Sequence, residues 1–275
     1  MKNKKFLVSV LVINYNKQRY VSRCLNSLSK QNYKKFEVIF SDDKSEDNSI
    51  FTAQKFKKIL NLKIISAVKR TKFGAYNQMN SISRAFKEST GDIILFLDSD
   101  DFFHKKKISN IVEFFNLFPN SKVIFDVPYI YYSKKKIEQF KVKNNFFKGL
   151  WPHFPPQSCI SIKRDYFKKI YSKISFQKFN DIWLDFRIAF YTYYILKDFR
   201  ILNKRLTYYF IDPDGASSHF RYLTFDWWKR RMQAFQFCKY FLKKNLLKYS
   251  VTLDYILTMI IFKLSLFFQN NEKKN

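Results

Sequence analysis

Three carboxylates stand within four positions at the end of an apolar run, where Ile93-Ile94-Leu95-Phe96-Leu97 leads into Asp98-Ser99-Asp100-Asp101. Carboxylates this close repel one another and raise one another's pKa unless a cation intervenes. Hard oxygen donors suit Mg²⁺ or Mn²⁺, which bind one or two carboxylates together with substrate phosphates. On an extended segment residues i and i+2 point the same way, so Asp98 and Asp100 face one spot, with Asp101 beside them as the chain turns. The expected chemistry is capture of an anionic metal chelate such as a nucleoside diphosphate. A second acidic pair, Asp42-Asp43, ends the run "FEVIFSDD". One pair can hold a metal while the other accepts hydrogen bonds from a base or a ribose.

Such groups need a scaffold that brings them to one place. Residues 6–13, 36–43, 62–68 and 92–98 read as short buried strands. Residues 17–31, 48–60 and 75–89 read as helices between them, with Asp47 or Asn48 capping the second and Gly91 closing the third. Alternation of strand and helix predicts βαβ units and a mainly parallel sheet. Ligands of such sheets gather at the carboxyl ends of the strands, where both acidic pairs fall. After about residue 120 the pattern becomes irregular. Residues 181–198 look helical, and beyond Phe225 the chain is aromatic and basic.

The chain has 275 residues, 47% of them hydrophobic, which suffices for one large domain with an extension. Its 51 Lys and Arg against 22 Asp and Glu give +29, a surface drawn to nucleic acid, phosphorylated substrates or acidic lipid. Three scattered cysteines, Cys24, Cys159 and Cys238, form no C-x-x-C pair, which argues against structural zinc and a disulfide framework. The basic and apolar start "MKNKKFLVSVLVINYN" reads as a lysine tail before a first strand rather than a leader.

Together, "VINYN", "FEVIFSDDKSEDNS" and "TGDIILFLDSDDFF" resemble the inverting family 2 glycosyltransferases with a GT-A fold, over roughly residues 7–107. The resemblance implies a nucleotide-sugar donor, UDP-linked by preference, and a Mg²⁺ or Mn²⁺ ion. By position Ile13, Asn14 and Tyr15 would contact the nucleobase. Asp43, with Asp42 beside it, would bind base or ribose. Asp98 and Ser99 would join the donor contacts, and Asp100 with Asp98 would hold the metal. The usual proline of the first motif is Val12 here. Ser83 and Ala85 stand where the helix before the fourth strand commonly carries A-x-N-x-G, which leaves Arg70, Lys72 and Arg84 as sources of positive charge.

Further along, "NDIWLDFR" resembles the segment E-D-x-x-L-x-x-R of the same family. It implies Asp181 as general base, with Asp185 the alternative. His219 would be a late metal ligand, and Trp151 in "WPHFPPQS" a platform for an acceptor sugar. The expected fold class is α/β: a GT-A, Rossmann-like, mainly parallel sheet flanked by helices. Its catalytic domain is expected over 1–222, donor half 1–120 and acceptor half 121–222, with a basic aromatic helical extension over 223–275. The expected function is a hexosyltransferase acting on a glycan or lipid-linked acceptor in cell-surface polysaccharide synthesis. Two other readings are a basic nucleic-acid-binding protein and a nucleotidyltransferase. Acid on the ligand rim opposes the first, and absence of a Gly- and Lys-rich phosphate loop opposes the second, so no nucleic acid is expected. Asp254 and Lys263 interrupt the apolar run near the C-terminus, so it is expected to lie on an anionic membrane surface rather than to span it. The protein would then be cytoplasmic and peripheral on the cytoplasmic face. The oligomeric state stays open.

Overall fold

The computed structural model describes residues 4–132, 137–139, 153–175, 178–211, 221–242 and 252–272. His219 and Trp151 lie outside them. The first half alternates β1 (Val8–Asn14), α1 (Gln18–Ser29), β2 (Phe36–Asp42), α2 (Ser49–Gln54), β3 (Leu62–Ser66), α3 (Gly74–Glu88) and β4 (Ile93–Asp98). There follow β5 (Phe102–Phe103), α4 (Lys107–Leu117), β6 (Val123–Tyr132), β7 (Ile137–Gln139), β8 (Ile160–Lys163), α5 (Arg164–Ile174), α6 (Leu184–Phe190), β9 (Ile201–Ile211), α7 (Phe225–Phe241) and α8 (Leu253–Glu272).

Among the described residues the strands form one sheet in the order β3-β2-β1-β4-β8-β6-β9-β5, with β7 paired to β6. The first four run parallel, and β8 is antiparallel to β4. Both faces are covered, which is why the strands read as nearly continuous apolar runs. Val8, Val10 and Val12 of β1 join a core with Val21, Leu25 and Leu28 of α1 and Ile108, Ile111 and Phe115 of α4. Leu11 and Ile13 point the other way, into a core with α3, α5, α6 and α7. There Phe237 of α7 meets Phe179, Phe186 and Phe190 edge-on.

Register decides where the site lies. Asn14 stands opposite Asp42, and Ile13 opposite Asp98, so β1, β2 and β4 end level. Gly91 helps to set this. A Cβ there would come within 2.5 Å of the Ser9 nitrogen, so only glycine lets the chain enter β4 so close to β1. The second half is irregular for a visible reason. Strand β6 carries Pro128, which cannot donate to a ladder, and its pairing with β9 shifts register on either side of Val127. The helix expected from 181 starts only at Leu184 and continues as a π-turn to Ile195. Arg187, wholly buried, donates to the carbonyls of Ile174, Phe179 and Ile182 and so holds the preceding segment in a non-helical loop. All three cysteines are free and buried.

Candidate functional site

A cavity of about 1190 Å³ opens at the carboxyl ends of β1, β2 and β4. Acids on its wall are Asp43, Asp47, Asp98, Asp100 and Asp185, and cations are Lys17, Arg19, Arg70, Lys72 and Arg230. Such a balance suits a ligand that carries its own negative charge and also offers hydroxyls.

The residues following each strand divide between holding the rim and facing the cavity. The buried Asn14 side chain donates to Asp42 Oδ1 at 2.7 Å and accepts from the Ser99 hydroxyl at 2.7 Å, which ties the three strand ends together. Asp42 also accepts from the backbone and hydroxyl of Ser45, so its oxygens serve the turn after β2. Asp42 does not line the cavity, whereas Asp43 does. Asp43 is clamped by Arg70 at 2.7 Å and Arg84 at 3.3 Å. The Arg70 guanidinium lies over the Tyr15 ring. The turn after β1 passes through Asn16 at φ 49°, a left-handed conformation that asparagine tolerates. Asp47 accepts from the backbone of Gln18 and of Ser49, which satisfies the first N–H of both α1 and α2.

At the end of β4, Asp98 accepts from Gln157 at 2.8 Å and from Gln78 at 3.3 Å. Asp100 pairs with Lys17 at 2.9 Å. Arg23 grips the Asp100 carbonyl at 2.6 Å from within a cluster formed by Tyr20, Phe102, Tyr131 and Phe210. Asp101 turns inward. Both its oxygens are engaged, one by the Ser158 hydroxyl at 2.5 Å and one by the Phe210 backbone at 2.8 Å. Of the three acids expected near a metal, then, Asp98 and Asp100 face the cavity, and Asp101 braces the loop that carries them. Burial first, then the charges of Asp100 and Asp185, push the Asp98 carboxyl well above the usual carboxylate range. That excess of negative charge is what a divalent cation would relieve. Among the described residues no three His, Cys, Asp or Glu side chains form a ready-made metal shell, and Asp98 and Asp100 are the two carboxylates after β4 that face the cavity.

Below this loop sits an ion pair that the sequence reading missed. Lys107 and Asp126, both wholly buried, are joined, and Thr207 hydrogen-bonds to each. Thr207 and Lys107 also reach the Ser158 carbonyl, and Ser158 touches both Asp101 and the Asp98 backbone.

The opposite wall comes from later in the chain. Asp185 stands in the first turn of α6, and burial raises its pKa to about 6 against the opposing pull of the Phe186 backbone and Arg230. It lines both the large cavity and a neighbouring one of about 290 Å³ formed with Asp181, Trp183, Trp227, Arg230 and Arg231. Asp181 lines only the smaller cavity, where it accepts from Gln233 at 2.7 Å and pairs with Lys229 at 3.0 Å. Lys17, Gln78, Gln157, Tyr209 and Arg230 were not singled out from sequence. Gln157 belongs to the Pro-rich stretch "WPHFPPQS", and Arg230 to the basic aromatic stretch expected on a membrane. Ser83 and Ala85 lie off the cavity, which α3 lines through Gly74, Gln78 and Ser81.

The family model described as "Glycosyl transferase family 2" matches residues 9–171. An uncharacterized glycosyltransferase of Nostoc sp. is 29% identical over 77% of the chain and 66% of its own length. The poly(ribitol-phosphate) beta-N-acetylglucosaminyltransferase TarS of Staphylococcus aureus is 35% identical over 38% of the chain and 18% of its own length. The UDP-Glc:alpha-D-GlcNAc-diphosphoundecaprenol beta-1,3-glucosyltransferase WfaP of Escherichia coli is 34% identical over 46% of the chain and 47% of its own. The chain thus spans less than two thirds of these relatives' length. Among solved structures, TarS 1–349 with UDP superposes with a TM-score of 0.60 at 20% identity, over 94% of this chain and 70% of that one. The mannosyltransferase PcManGT of Pyrobaculum calidifontis, with GDP-Man and Mn²⁺, gives 0.64 at 16% identity, over 95% and 73%.

Proposed function

The chain belongs to glycosyl transferase family 2 and has the GT-A fold, and from that premise we propose that it moves a hexose, with inversion, from a UDP-sugar to a glycan or lipid-linked acceptor. The observation that carries the proposal is the mixed acidic and basic cavity on the rim of β1, β2 and β4. It is large enough for a nucleotide sugar. Relatives named for UDP-linked donors and for polymeric or lipid-diphosphate acceptors support both halves of the proposal.

Asp43 with Arg70 and Tyr15 receives base and ribose. The two carboxylates Asp98 and Asp100 would hold Mg²⁺ or Mn²⁺. Such a cation, when bound, neutralises the diphosphate and eases its departure. Lys17 and Arg230 supply fixed positive charge to the same region. The acceptor hydroxyl enters from the smaller cavity. Asp185, at the junction of the two, takes its proton as that oxygen bonds to the anomeric carbon and the bond from that carbon to the diphosphate breaks. A second assignment of the base, Asp181, is favoured by its motif position ahead of Arg187. The protein works as a peripheral enzyme on the cytoplasmic face of a membrane.

Calorimetry with UDP-glucose, UDP-N-acetylglucosamine and GDP-mannose, each with Mn²⁺ and with chelator, tests the reading. We expect a UDP-sugar to bind and chelation to weaken it. Tight binding of GDP-mannose alone would replace the donor class. Failure of all three nucleotide sugars to bind would remove the proposal.

A further inference from the structure

Helix α8 turns two polar residues toward the protein: Asp254 pairs with Arg231 of α7, and the wholly buried Thr258 also meets Arg231 at 3.2 Å. Tyr255 packs on Phe235, and Phe262 stacks on Phe225. The outward side carries Ile256, Leu257, Ile260, Leu264, Phe267 and Phe268, each between 37% and 64% exposed. With 3.6 residues per turn these six fall within about 120° of the helix circumference. Lys263, also exposed, borders them. An ordinary surface helix shows the reverse arrangement, and an apolar stripe this continuous marks a contact surface.

We propose that this stripe is the face by which the protein docks on an anionic bilayer. Charge identifies the occupant. Residues 225–275 contain ten Lys or Arg and three Asp or Glu, with lysines at 243, 244 and 248 ahead of α8 and at 273 and 274 at its end. The whole chain carries +29. Two such chains repel each other, whereas an anionic leaflet attracts each one and accepts the stripe among its acyl chains. Among the described residues no helix is long and apolar enough to cross a membrane, which fits a helix lying on the surface. Position adds a consequence for catalysis. Helix α8 rests on α7, whose Trp227, Arg230 and Arg231 line the smaller cavity. A bilayer at α8 therefore lies one helix away from the proposed acceptor entrance. The inference deepens the peripheral location proposed above and rests on that reading for the acceptor alone.

Flotation with phosphatidylcholine vesicles containing about one-third phosphatidylglycerol tests it. The protein is expected to float with them at low salt, to be released as the Debye length shrinks, and to ignore pure phosphatidylcholine. The triple variant Ile260→Ser, Leu264→Ser, Phe267→Ser is expected to lose at least about tenfold in partition while binding UDP as before. The double variant Phe267→Ser, Phe268→Ser, confined to the end of the helix, is expected to lose less but measurably. Unchanged partition in these variants would overturn the assignment. So would a dimer in sedimentation that the triple variant dissolves while neither protein floats, since a second copy would then cover the stripe. A protein that binds UDP but no vesicles loses this inference and keeps the transferase. One that floats through the stripe but binds no nucleotide sugar keeps the inference and loses the transferase.

Discussion

The two walls of the cavity are built differently. The wall from β1, β2 and β4 consists of strand ends in register, so Asn14, Asp42 and Asp98 arrive level and their successors fan out over one rim. The opposing wall gathers Gln157, Asp185, Tyr209 and Arg230 from a turn, a helix start, a strand end and a helix. Backbone hydrogen bonding fixes the first wall. The second depends on packing and on single buried anchors such as Arg187 and the Lys107–Asp126 pair. The groups proposed to hold a cation and a nucleotide therefore sit on a lattice, while those proposed to meet the acceptor sit on parts whose positions are set one contact at a time.

The largest expected effect sharpens that contrast. Asp185→Asn should lower kcat by about 10²–10⁴-fold and leave UDP affinity intact, because it removes a proton acceptor and no donor contact. Asp181→Asn should cost far less. Single-turnover transfer beside calorimetry separates the two, and the reverse ranking would move the base to Asp181. Next comes stability. Lys107→Met strands a wholly buried carboxylate and should cost about 3–5 kcal/mol in urea unfolding, whereas Lys107→Met with Asp126→Leu should recover most of it. On the strand wall, Asp43→Ala should weaken UDP by about 1.5–3 kcal/mol with kcat little changed, the value of a charge-assisted hydrogen bond. If Asp43→Ala instead lowers kcat alone, the division between the walls fails.

The smallest effect is a shape. With Asp185 at about 6 in the folded protein, transfer should rise with pH through a limb near 6 as the carboxylate is freed, above the range of an unperturbed aspartate. The same shift has the opposite sign for stability. The folded state holds this proton more tightly than the unfolded chain, so the group's contribution falls as pH rises from about 4 to 6. A transfer profile that is flat between about pH 5 and 7 would count against Asp185 as base.

How much of this was legible follows the same division. Strands β1 to β4, the helices between them and the placing of Asp43, Asp98 and Asp100 at the rim could be read because period and strand-end acids are local signals. Asp42 and Asp101 could not be told from their neighbours by type. Only the tertiary partners, Ser45 with Asn14 and Ser158 with Phe210, show that one of each adjacent pair is structural. The Lys107–Asp126 pair left no trace, because an isolated lysine and an isolated aspartate read as surface. The C-terminal stretch was read as one unit, yet α7 sends Phe235 and Phe237 into the core while α8 leaves a stripe from Ile256 to Phe268 facing out. Helix α7 carries four Lys or Arg and α8 one, but which apolar side chains face outward is set by packing.

The burial of all three thiols has a practical side. Burial raises the pKa of Cys24, Cys159 and Cys238 well above that of a free thiol, so the reactive thiolate is scarce and reagents cannot reach it. The folded chain should therefore react little with maleimides. A Leu264→Cys variant would carry one addressable position, and an environment-sensitive dye there would report in real time whether the outer side of α8 meets lipid, a second copy or water.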